Sequence, residues 1–354
     1  MKTLRTIVGV ALLGSLLVPA ALAAKPKKTD TAPWPELLLE GGRKLTYVNT
    51  FANERDVRNK PGFWGKLTNA ILGEPDYKAM SRPYSVAIDS KGRMIVTDPG
   101  LGGIHIFDPG QHKYKYIDRI DKYKDWMTEP QCVAVDAKDN IYVTDSKAGK
   151  VFVFEPSGKY KGVFASLKGG EGFFKRPTGI AIDPETQNVY VTDTLRDKVY
   201  VLDSKGSVLR TIGQHGSDKG EFNYPTEVMI RKNVIAVVDA LNFRVQLFDR
   251  GMNFLGMIGT SGDPAGGVFR PKGLSIDSEN HFYLVEAQSG LVNVFDNEGR
   301  LLYNFGNGTG FGQFQLPAGV FIDGGDAVYL VDSYNRRVQV FQYHGQKQGQ
   351  GATP

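Results

Sequence analysis

Carboxylates at a fixed period are the first residues in this 354-residue sequence with the makings of a chemical site. Short apolar runs end in Asp98, Asp145, Asp193, Asp239, Glu286 and Asp332, and the runs just before them end in Asp89, Asp136, Asp183, Asp277 and Asp323. Gathered in a ring, such groups would suit a hard cation such as Ca2+. A residue that recurs at every turn of a repeat is first a device of the fold, however. An Asp at a strand end accepts N–H bonds from the adjoining turn or pairs with a nearby base. A base stands five positions on in four cases: Lys150, Lys198, Arg244 and Arg337. The repeated acids are therefore read as structural, and Ca2+ is the one ion they leave open. Glu227 is different. It lies two residues after Pro225, where the other copies hold Ser, Cys or Gly, and a polar residue that breaks a pattern is a candidate ligand contact.

The remaining reactive types do not assemble into a catalytic set. His105, His112, His215, His281 and His344 show no pair at helical or hairpin ligand spacing. Cys132 is the single cysteine, so no intramolecular disulfide forms, and its place in an apolar strand predicts a buried, inert thiol. There is no G-x-S-x-G motif, no Gly-rich phosphate loop between a strand and a helix, no C-x-x-C-H and no EF-hand loop. No catalytic residue, metal ligand or cofactor is assigned.

The elements that must position these residues repeat. Pro83, Pro130, Pro177, Pro225, Pro271 and Pro317 each open a copy, 46 to 48 residues apart. Within the third copy the apolar runs are GIAID, NVYVTD, KVYVLD and VLRTIG, too short for helices and rich in Val, Ile and Tyr. Four antiparallel strands at this period make a propeller blade, so the expected fold is all-β, a six-bladed β-propeller of four-stranded blades. The first strands read SVAID, CVAVD, GIAID, EVMIR, GLSID and GVFID; the fourth copy, with Arg231 in place of Asp, is the most eroded. The sixth copy stops after three strands. Lys44–Phe51 (KLTYVNTF) has no copy of its own and resembles the fourth strand of blade 5, so it is expected to complete blade 6 and join the two chain ends.

DALNFRVQLFD (239–249) and DSYNRRVQVF (332–341) follow a pattern of Asp, two residues, Asn, one residue, Arg and an apolar strand. With the Gly-rich stretch GQHGSDKGEFNYP before a proline, they resemble the NHL-repeat family of six-bladed propellers, over about residues 44–343. The resemblance implies the fold. It does not select a function, because that family includes enzymes, sensors, RNA binders and scaffolds. Lactonase-like propellers hold a divalent cation on channel acids, and some NHL-like lyases hold zinc on channel histidines. No histidine here falls on an expected innermost strand, so the zinc site is not supported.

Positions flanking each proline vary while the strands do not, which marks them as the mouth of the channel. The candidate binding residues are Arg82, Tyr84, Gln131, Arg176, Thr226, Glu227, Arg270 and Lys272. Arg82, Arg176 and Arg270 fall on alternate blades, and with Lys272 they would form a basic rim for an anionic ligand or an acidic partner surface.

The one large departure from the repeat is 52–81. Phe63, Leu67 and Ile71, with Trp64, predict an amphipathic helix over about 63–72, serving as a cap on the propeller or as a partner-docking element. Residues 1–23 read as a secretory signal, with Lys2 and Arg5, an apolar run from Ile7 to Val18, and the cleavage site Ala21-Leu22-Ala23. Residues 24–43, including Trp34, read as a flexible segment that becomes ordered near Leu37, and 344–354 as a disordered tail. The net charge is +5 for the whole chain, two of those charges lie in the signal, and nothing in it suggests nucleic acid.

The expectation is a periplasmic or extracellular propeller, monomeric and without stable membrane insertion after cleavage. It would act as a non-catalytic scaffold for a protein or polymer. A metal-using channel lyase or lactonase-like hydrolase and a small-ligand sensor are the alternatives.

Overall fold

The computed structural model describes residues 36–39, 42–120, 126–167, 172–259, 267–306 and 313–345. The expected signal segment, Trp34 and the tail beyond 345 lie outside the described residues.

Six antiparallel sheets follow the six copies in order. Blade 1 comprises Val86–Ile88, Met94–Asp98, Gly103–Asp108 and Lys113–Ile117; blade 2 comprises Pro130–Val135, Ile141–Asp145, Lys150–Phe154 and Tyr160–Phe164. Blade 3 comprises Pro177–Ile182, Val189–Asp193, Lys198–Leu202 and Val208–Ile212; blade 4 comprises Pro225–Arg231, Val234–Asp239, Arg244–Phe248 and Phe254–Ile258. Blade 5 comprises Pro271–Ile276, Phe282–Glu286, Leu291–Phe295 and Leu301–Phe305; blade 6 comprises Val320–Ile322, Ala327–Asp332 and Arg337–His344. The chain is the six-bladed propeller that the repeat predicts.

Strand position sets composition. The second strand of each blade is covered on both faces by neighbouring blades, and MIVTD, IYVTD and VYVTD are buried at all five positions. Fourth strands lie at the rim and alternate: KYKYI and FLGMI bury only part of one face. The core is a set of layers between blades. Ile95 and Ile104 of blade 1 meet Ile141 and Val143 of blade 2, all fully buried, and each such side chain contributes roughly 1.5–3 kcal/mol.

Blade 6 takes its fourth strand from the other end of the chain. Lys44–Phe51 pairs antiparallel with Arg337–His344, from Lys44 opposite His344 to Phe51 opposite Val338, with a bulge between Tyr47 and Asn49. Leu37–Leu38 adds a short fifth strand by pairing with Leu45 and Lys44.

The insertion is anchored at its base. Met80 N–H donates to the Ala52 carbonyl (2.9 Å), Glu54 N–H to that of Lys78 (2.9 Å), and Val57 and Met80 are buried with Phe51 and Phe107. Helix α1 (Phe63–Leu72) forms where the spacing predicts and ends at Gly73, whose φ of 87° suits glycine. It is not a packed cap. None of its residues is buried, and Phe63, Trp64 and Ile71 are each more than 70% exposed. The half-buried positions are Gly65 and Asn69, so the apolar stripe faces solvent. Among the described residues no helix is long and apolar enough to cross a membrane.

Candidate functional site

The repeated acids build the mouth of the channel. Asp98 accepts the N–H groups of Ser81 (2.6 Å) and Arg82 (3.0 Å); Asp193 accepts those of Lys175 and Arg176 (2.8 Å each); Glu286 accepts those of Phe269 (2.6 Å) and Arg270 (2.7 Å). Asp145 does the same for Thr128 and Glu129. Each buried carboxylate thus fixes the backbone of the residue before a proline, where the variable mouth residues stand. Its charge is spent on amides, as expected of a fold device.

The expected acid–base pairs form in two blades, Asp239–Arg244 (2.9 Å) and Asp332–Arg337 (2.8 Å). In the other two the reading needs correction, because Lys150 and Lys198 make no ion pair with Asp145 or Asp193 among the described residues. The reason is geometric. Arg244 and Arg337 bond the carboxylate through Nε and reach loop carbonyls through Nη2, two donors held apart on one rigid fork where lysine has a single donor atom. Asp193 pairs instead with Arg196 (2.9 Å), and Asp98 bonds the buried His105 ring (3.2 Å).

A cavity of about 620 Å³ opens between the prolines. Arg82, Tyr84, Gln131, Arg176, Thr226, Arg270 and Lys272 all line it, so seven of the eight candidate residues meet in one place. No ion pair engages Arg82, Arg176, Arg270 or Lys272 among the described residues, and Glu129 is the one carboxylate in the lining, occupied by the Ser146 hydroxyl (2.9 Å). Burial holds the Lys272 ammonium below the usual lysine range, and Arg270 and Arg176 push it further down. It sits 5.6 Å from the Tyr84 ring centre. Burial, with Glu227 second, pushes the Tyr84 phenol well up. The Thr226 hydroxyl is buried without a partner among the described residues.

Glu227, the eighth candidate, lies in a separate chamber of about 210 Å³ lined by the innermost strands. The strands converge closely here: a Cβ at Gly179 would fall 2.7 Å from the Glu227 Cα, and one at Gly319 2.6 Å from the Tyr84 carbonyl oxygen. Among the described residues Glu227 has no basic partner. Its carboxyl accepts from its neighbour's amide, Val228 N–H (3.2 Å), and the Cys132 thiol (3.5 Å). Burial pushes its pKa up to about 8 against those two bonds, so it is largely protonated at neutral pH. Burial, then Glu227, raises Cys132 as well, which leaves that thiol unreactive.

At the end opposite the mouth, Arg231 spans the chamber. Its Nη1 donates to the carbonyls of Ile276 and Ile322 (3.2 Å to the latter), Nη2 to that of Asp323 (3.4 Å), and Asp326 lies 3.7 Å away. The residue that makes blade 4 look eroded is a brace across blades 4, 5 and 6. Sequence reading also passed over the Thr before the second-strand acid. Thr97 and Thr144 donate to the carbonyls of Gln131 and Thr178 (2.6 Å each) in the next blade, setting the floor of the mouth; the VTD run in three copies was the available signal. Among the described residues no three His, Cys, Asp or Glu side chains are grouped to hold a metal ion.

A family model described as a 6-bladed beta-propeller matches residues 129–198 and 181–260. A comparison with curated proteins finds no match. Among solved structures the chain resembles virginiamycin B lyase from Staphylococcus aureus, at 14% identity and a TM-score of 0.55, over 87% of this chain and 90% of that one. It also resembles an auxiliary nutrient binding protein from Bacteroides thetaiotaomicron, at 12% identity and a TM-score of 0.56, over 75% of this chain and 70% of that one. A protein of unknown function from the same organism aligns at 10% identity and a TM-score of 0.58, over 85% of this chain and 76% of that one. None of these matches is described by NHL repeats, and at such identities structural likeness speaks for the fold alone. By its strands, by the family model and by its structural neighbours, the chain is a six-bladed β-propeller.

Proposed function

We propose that the protein is a non-catalytic binding propeller that receives an acidic group, carried by an envelope or extracellular protein or polymer, in its basic mouth. The observation that carries this is the convergence of Arg82, Arg176, Arg270 and Lys272 on one cavity without acidic partners. Charges left uncompensated on a rigid frame favour an anion at little reorganisation cost. The leader-like start of the sequence supports an exported protein, and a single closed ring suits a monomer. The apolar face of α1, with Phe63, Trp64, Leu67 and Ile71 outward, favours a second contact surface for the same scaffold role.

The small-ligand reading uses the same mouth and differs only in the size of the anion. The channel-enzyme reading rests on Glu227 and is the weaker, because a protonated carboxyl beside a protonated thiol offers neither a nucleophile nor a good metal ligand. Titration calorimetry with penta-L-glutamate at two salt concentrations tests the proposal. Binding should weaken with salt, and Arg176→Gln/Arg270→Gln should weaken it by roughly tenfold or more with folding intact. Absence of binding, or equal binding by the variant, would overturn it.

A further inference from the structure

The mouth holds more than charge, and its other groups narrow the ligand. Phe269 is 56% exposed on its lining, and Tyr224 lines it from the adjacent blade. Tyr224 occupies the left-handed region (φ 63°), an unusual place for a bulky side chain, and its N–H is held there by Asp197 (2.8 Å). Leu316, before Pro317, shares this conformation (φ 45°), so the turn presents the residue before the proline to the mouth, and in blade 4 that residue carries an aromatic ring. Below the rings, the buried Thr226 hydroxyl is a hydrogen-bonding group without a partner. Arg176, Arg270 and Lys272 supply the cations.

An anion alone would use only the cations. A ligand that uses all three kinds of group needs a carboxylate, an apolar face to lie on an aromatic ring, and hydroxyls. An acidic sugar has each of these. The cavity, at about 620 Å³, falls within the roughly 300–1,000 Å³ of small-molecule sites. Resting on the anion-binding reading above, we propose that the mouth takes the terminal residues of a uronic-acid polysaccharide: carboxylate to Arg176, Arg270 or Lys272, ring face on Phe269 with Tyr224 at its edge, a hydroxyl to Thr226.

The test is titration calorimetry of the purified protein with tri-galacturonic acid, penta-L-glutamate and neutral maltotriose. Tri-galacturonate should bind at least tenfold more tightly than penta-glutamate, and maltotriose more weakly than either. Phe269→Ala removes a ring that is mostly in solvent, so folding is kept. It should weaken tri-galacturonate by roughly three- to tenfold, the range of an aromatic contact, and leave penta-glutamate unchanged. Arg176→Gln/Arg270→Gln should weaken both anions. If the two anions bind equally, or Phe269→Ala changes neither or both alike, the sugar assignment fails while the anion site stands. If neither anion binds, both readings fall.

Discussion

Replacing Glu227 by Gln should make the protein more stable, by an amount that grows with pH. The carboxyl sits against the innermost strands without a cation, and burial raises its pKa from 4.5 to about 8. The folded state therefore keeps a proton that the unfolded chain releases above about pH 4.5. A raised pKa contributes stability that is complete below the unfolded value and is lost as pH climbs through the folded one. Between those limits the loss is roughly 1.4 kcal/mol per pH unit. Over this window that would approach 4–5 kcal/mol; because part of the side chain faces the channel, roughly 2–4 kcal/mol is the working figure. Gln keeps the shape and the hydrogen bonding of the neutral acid and removes the titration. Urea unfolding of both proteins at pH 5 and pH 8.5 checks this, since other titrating groups, Cys132 included, are common to both and largely cancel in the difference. The variant should match the parent near pH 5 and exceed it by about the working figure at pH 8.5. A difference that does not change with pH would refute the reasoning, and would mean that water or a counter-ion in the chamber keeps Glu227 charged.

Three further outcomes follow from the same geometry. Arg231→Met should cost roughly 1–3 kcal/mol in urea unfolding, through the carbonyls it leaves unbonded across blades 4, 5 and 6; an unchanged midpoint would show that the brace is ornamental. Asp193→Ala strands the N–H groups of Lys175 and Arg176 and should cost roughly 2–4 kcal/mol, visible as a lowered Tm; no loss of stability would count against the acids as fixtures of the mouth. Binding of penta-glutamate should draw in protons at alkaline pH, because an anion beside Lys272 restores its depressed pKa. Affinity should then fall as pH rises, and calorimetry in buffers of different ionisation heat reads the uptake; zero uptake would place Lys272 outside the site.

Most of the frame was legible because it depends on local rules repeated six times. Alternating Val, Ile and Tyr between turn residues specify strands whatever lies beside them, and proline stands at, or three residues before, the start of each innermost strand. The seam in blade 6 was legible too, since KLTYVNTF carries a fourth-strand pattern with no blade of its own. The mouth residues were found by position, as the variable neighbours of a fixed proline. What stayed hidden depends on distances between blades. Arg231 reads as erosion in one dimension, and only the closed ring brings Ile276 and Ile322 to it. The spacing of Phe63, Leu67 and Ile71 specifies a helix with one apolar side, but not which side meets the propeller. Four of six blades offered an acid and a base five residues apart, and only the two arginines used it. A five-residue spacing sets proximity, and side-chain reach decides the bond.

The seam also imposes a timetable on the molecule's manufacture. Lys44–Phe51 is synthesised before any blade, and its partner Arg337–His344 only after five blades and part of the sixth. Through that interval the early strand has no place to dock, and the half-built ring presents a raw edge at either side. Closure over so long a span adds only a slowly growing entropic cost, so the delay is one of sequence in time more than of energy. A chain cut short just before Arg337 would keep five complete blades and still lack the strand that seals them. Arg337–His344 is thus the inspection step for the ring: until it is made, the blades stand as an open arc with strand edges unpaired, and its arrival closes them.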